Sequence, residues 1–64
     1  MTLKDKLIKE EKRLTKKIDS LRRFLYSDES IMIPIVDKDL LIKQLRYMTG
    51  YELILEKRIV RAKV

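Results

Sequence analysis

LLIKQLRYMTGYELILEKRI, residues 40–59, is the stretch that decides the fold. Read as a helix, it places Leu41, Leu45, Met48, Leu55 and Ile59 on one stripe at steps of four and three, broken only by Glu52. A second row, Leu40, Tyr47, Tyr51 and Ile54, lies beside the first and widens the apolar surface beyond what one neighbouring helix covers. Gly50, the chain's only glycine, sits in mid-helix, where it costs about 1 kcal/mol relative to alanine. A helix of this kind is built to meet something beyond its own hairpin.

Upstream, residues 3–26 carry a heptad seam: Leu7, Leu14 and Leu21 recur every seven residues, with Ile18 and Leu25 at the offset of four. Glu11 occupies one seam position. Thr2 reads as the N-cap, with Asp5 three residues on as its capping-box partner. Between the helices, Ser27-Asp28-Glu29-Ser30 favours turns and caps. Ile31 to Val36 is an apolar connector, and Pro34 bars helix through it. Such a connector is expected to fold back over the hairpin tip or onto a neighbouring subunit, with a short edge strand as the alternative. Asp37 reads as the N-cap of the second helix, 38–62, with Val36 and Leu41 as a hydrophobic staple. Asp39 suits the positive end of the helix dipole, and Arg58, Arg61 and Lys63 suit the negative end.

Two long helices joined by a short connector pack antiparallel. The expected fold is therefore all-α: one domain, residues 1–64, forming an antiparallel two-helix hairpin (helices 3–26 and 38–62, connector 27–37). Such hairpins would assemble into a homo-oligomeric helical bundle. Folding about the connector sets Ile18 near Leu45, Leu14 near Met48 and Glu11 level with Glu52. Two carboxylates on one seam need cations or water. Lys12, Arg13, Lys57 or a second subunit would supply an ion pair that fixes oligomer register. A catalytic carboxylate pair is the alternative, and no other group of an active site accompanies it.

Composition narrows the function classes. A 64-residue chain without cysteine or histidine has no disulfides, no thiolate or imidazole metal ligands and no histidine base, so oligomerisation is the staple left to it. No cofactor is expected, and an enzyme is disfavoured by the lack of any phosphate-cradling glycine loop. The opening MTLKDKLIKE lacks an apolar signal core, and no apolar run approaches the length of a membrane span. The expected setting is cytoplasmic, without membrane partners. Net charge is +6. Residues 24–39 carry Asp28, Glu29, Asp37 and Asp39 against Lys38 alone, while both flanks are basic. The hairpin brings Lys4, Lys6, Lys9, Lys12 and Arg13 to the same end as Lys57, Arg58, Arg61 and Lys63, an end that would draw anions.

Two motifs carry a resemblance. One is L-x2-KI-x2-L-x2-FL, formed by Leu14, Lys17, Ile18, Leu21, Phe24 and Leu25. The other is LL-x2-QL-x2-M-x2-Y-x3-L-x2-RI, formed by Leu40, Leu41, Gln44, Leu45, Met48, Tyr51, Leu55, Arg58 and Ile59. Together they resemble the phage anti-CBASS cyclic-oligonucleotide sponge family, related to a small helical protein of crAss-like phages. The resemblance implies helical hairpins assembled as compact hexamers. These would bind cyclic di- and trinucleotides, the alarm signals of bacterial anti-phage defence, and sequester them uncleaved, here in the cytoplasm of an infected host.

The residues accommodate that chemistry. A cyclic oligonucleotide wants Arg or Lys for its phosphates and flat groups for its bases. Arg46 would take a phosphate, Thr49 a base edge, and Tyr47 would stack on a base or serve as an interface aromatic. Gly50 would admit a base or, alternatively, a neighbouring helix. Three copies of this face on a symmetry axis would present a ring of guanidinium groups. On the first helix, Lys9, Arg13 and Lys17 form a basic stripe that offers a second phosphate site or a solvated face. The alternative function is a small basic nucleic-acid-binding phage regulator.

Overall fold

Thr2 starts the first helix with a reciprocal cap. Its Oγ1 accepts from the Asp5 backbone N–H at 3.1 Å, and Asp5 Oδ2 accepts from the Thr2 N–H at 3.3 Å. In the computed structural model, which describes residues 2–62, α1 runs Leu3–Tyr26, a 3-10 turn follows at Asp28–Met32, and α2 runs Ile35–Arg61. Lys63, expected at the basic end, lies outside the described residues.

Two serines close α1. Ser27 Oγ donates to the Phe24 carbonyl at 2.7 Å. Ser30 Oγ is shared between the carbonyls of Leu25 and Ser27, at 3.0 and 2.8 Å. The Phe24 and Ser27 carbonyls also accept backbone N–H groups, from Ser27 at 3.1 Å and Ser30 at 3.2 Å, so hydroxyl and backbone bonds close the helix end together. Ser30 is the one buried polar side chain among the described residues, and the tight 3-10 turn follows from this clasp.

The second helix starts earlier than the sequence suggests. Its N-cap is Pro34, whose carbonyl accepts from the Lys38 N–H at 3.0 Å. Asp37 is therefore not the cap but lies inside the first turn and makes no capping bond. The reason lies in proline itself. It holds Ile33 extended before it, yet its own fixed φ leads directly into a helix after it. Ile35 and Val36 become helical as a result, and the staple with Leu41 is lost. The connector does not cover the tip either: Ile31, Met32, Ile35 and Val36 all face outward, and no strand is present among the described residues.

α1 and α2 pack antiparallel around one small core. Leu7, Leu14, Ile18 and Leu55 are buried, with Leu45, Met48, Ile59 and Ala62 packed against them. α1 thus contributes its heptad seam, and α2 the stripe read first in its sequence. The result is a rod of 46 × 15 × 13 Å. Its radius of gyration is 14.7 Å, against about 11 Å for a compact chain of this length. Its accessible surface is 5485 Å², where a compact folded monomer of 7.7 kDa would expose about 4,300 Å².

Candidate functional site: the outer strip of helix α2

At about 100° per residue, the side chains of α2 divide into four rows. The row of Leu45, Met48, Leu55 and Ile59 meets α1. A second row, Leu40, Tyr47, Tyr51 and Ile54, is exposed on one flank. A third row, Ile35, Ile42, Leu53 and Val60, is exposed on the other flank. The sequence reading missed this third row; its signal was there, in apolar residues recurring at steps of seven, eleven and seven. Between the two exposed rows, opposite α1, runs a narrow polar strip of Asp39, Lys43, Arg46, Gly50 and Lys57, all exposed. Lys43 Nζ lies 3.0 Å from Asp39 Oδ2 one helical turn away. Arg46 has no carboxylate within ion-pair distance among the described residues.

Gly50 sits on this strip one turn from Arg46. A β-carbon built there would meet nothing within 4 Å, and the residue has an ordinary helical backbone without positive φ. Neither packing within the hairpin nor backbone geometry requires glycine here. What it provides is a flat, bare patch of helix beside a free guanidinium.

The other sequence candidates separate. Tyr47 lies on the flank beyond Gly50, in an open groove with Leu40, Lys43, Gln44, Met48 and Tyr51. Thr49 turns to the opposite flank, and its hydroxyl donates to the Arg46 carbonyl at 2.8 Å. Tyr47 and Thr49 are thus about 160° apart around the helix and do not share one ligand face within a chain. On α1, Lys9 and Arg13 border a shallow depression with Lys6 and Glu10. Lys17 follows one turn on, exposed. That stripe lies on the side of α1 turned away from α2, so the two basic clusters are distinct within one hairpin.

The two seam carboxylates also part company. Glu52 Oε2 accepts a 2.6 Å hydrogen bond from Thr15 Oγ1 across the hairpin. Thr15 lies one helical turn beyond Glu11 on α1, so the donor that meets Glu52 is the next residue up the same helix face. Neither acid has a cation within 4.0 Å among the described residues, so within the chain Glu52 is met by a hydroxyl donor and not by Lys12, Arg13 or Lys57. No group of three metal-capable side chains occurs among the described residues, and no described helix is long and apolar enough to cross a membrane.

Comparison with curated proteins and with solved structures gave no match. One family model does match, the one described as Sequestin, and it covers residues 1–61, both helices and the turn between them. On that match, the chain belongs to the Sequestin family.

Proposed function

We propose that this protein is a non-enzymatic sponge that binds and sequesters cyclic di- and trinucleotide signals of bacterial anti-phage defence, in the cytoplasm of the host. The family name points to sequestration; the ligand class is our inference. The observation that carries it is the Arg46–Gly50 strip: a free guanidinium beside a bare helix surface, flanked on both sides by apolar rows. Once neighbouring copies cover those rows, the strip is what remains to line a cleft. Guanidinium groups hold phosphodiesters by charge-assisted, often paired hydrogen bonds, and the bare glycine lets a flat base approach. A hexamer provides such clefts where copies meet around an axis, and Lys9, Arg13 and Lys17 offer a second phosphate site.

Calorimetry with a panel of cyclic di- and trinucleotides tests this reading. Saturable submicromolar binding with the ligand recovered intact is expected, and a linearised product would mean an enzyme instead. Arg46→Ala should lose one ligand class, at least about thirtyfold, with the oligomer unchanged, because truncating one partner of a desolvated charge pair costs about 2–5 kcal/mol. Leu53→Lys, on the third row, should instead reduce the sedimenting mass. If Arg46→Ala dissociates the particle, the residue is an interface contact and the ligand assignment fails.

The stripe of Lys9, Arg13 and Lys17 on the outside of α1 gives a second reading, a basic regulator of nucleic acid. Duplex binding with a steep salt slope, and no affinity for cyclic nucleotides, would favour it.

A further inference from the structure

The exposed face of α2 carries its own instructions for what should cover it. Leu40, Tyr47, Tyr51 and Ile54 form a continuous apolar row, 43–76 % exposed. At one end of the row stand Asp37 and Asp39, and at the other Arg58 and Arg61. Of these four, only Asp39 has an ion-pair partner among the described residues. The polarity extends to the whole rod. The closed end carries Asp28 and Glu29, while the open end carries Lys4, Lys6, Lys12 and Lys57.

We propose that this row takes the same row of a second copy, antiparallel, about a two-fold axis near the middle of α2. A parallel pairing would place acid on acid and base on base. The antiparallel one lays each acidic end on the other copy's basic end and opposes the helix dipoles favourably. With Tyr47 opposite the partner's Tyr51, the register sets Leu40 against the aliphatic stem of the partner's Arg58. Asp37 then reaches the partner's Arg58, and Asp39 reaches the partner's Arg61. In a two-fold antiparallel pair, like flanks meet like flanks, so each contact occurs twice. The surface excess matches the requirement. The rod exposes 5485 Å², about 1,200 Å² more than a compact monomer, and a standard interface buries about 800 Å² per partner.

The same symmetry acts on the polar strip. It brings the two strips alongside each other on one side of the pair, with two Gly50 surfaces near the axis and one Arg46 on either side of them. A single chain presents one guanidinium and half of that floor, so the site is incomplete without the partner. α1 lies away from the contact, and the row Ile42–Leu53–Val60 stays open for further copies. The pairing stands on geometry and charge alone. Its use as a phosphate-binding floor rests on the sponge reading.

Disulfide mapping tests the orientation, helped by the absence of native cysteine. Leu40→Cys and Arg58→Cys chains are mixed and oxidised without ligand. The mixed disulfide should dominate several-fold over either homodimer; dominance of the homodimers, or no cross-link in chains that circular dichroism shows to be helical, overturns the pairing. A charge swap supplies the second measurement. Asp37→Arg alone should weaken self-association about tenfold in sedimentation, and Asp37→Arg with Arg58→Asp should restore it. Failure of the double variant to restore association also overturns the register. Cross-linking as expected with no affinity for cyclic nucleotides would leave the pairing intact and refute the ligand.

Discussion

The two helices have nearly the same length and opposite situations. α1 has one apolar seam and one partner: it supplies three of the four buried core residues, Leu7, Leu14 and Ile18, and leaves only Leu3 and Tyr26 as large exposed apolar side chains among the described residues. α2 supplies Leu55 alone to that set and leaves nine large apolar side chains facing outward. An amphipathic helix with one stripe is satisfied by one neighbour, whereas a helix apolar on three sides is the kind found at the centre of a larger core. α1 is finished by the hairpin and α2 is not.

Four substitutions would break or sharpen that contrast. Leu55→Ala removes the only side chain with no exposure at all among the described residues; a loss of about 3 kcal/mol is expected from the cavity, read as a fall in the denaturant midpoint. Thr15→Val takes away the one hydroxyl that meets Glu52 and should cost about 1.5 kcal/mol, the usual worth of a hydrogen bond to a charged group. A neutral result would mean that water serves Glu52 equally well. Gly50→Ala runs the other way. With open space around it, alanine should stabilise the helix by about 1 kcal/mol while lowering ligand affinity, and a gain in stability with affinity unchanged would remove Gly50 from the site. Lys43→Ala should cost about 0.4 kcal/mol, since its bridge to Asp39 is an exposed pair one helical turn apart. A larger loss measured in thermal unfolding would show that the strip is buried in the working particle.

Much of this contrast was legible before any coordinates. The heptad seam, the Thr2–Asp5 cap and the surplus apolar row of α2 are local patterns, and local patterns survive folding. The start of α2 was misread because Asp37 looks like a cap and Ile35-Val36 looks like extended chain. Proline overrides both by setting the backbone one residue ahead of them. The pairing of Glu52 with Thr15 was illegible for a different reason: which side chain meets Glu52 across the hairpin depends on tertiary packing, which no local pattern encodes. Among the site candidates, Arg46 and Gly50 share a face through their spacing of four, while Tyr47 and Thr49 fall on opposite flanks for the same geometric reason.

The 3-10 turn has a kinetic corollary. A hairpin closed by so short a connection has low contact order, and such chains fold in microseconds to milliseconds. Encounter between chains, a second-order event, then becomes the slow step in building any multi-copy particle. Doubling the concentration of newly made protein would raise its initial rate of formation about fourfold if the first step is pairwise, so its appearance would rise with the square of the expression level.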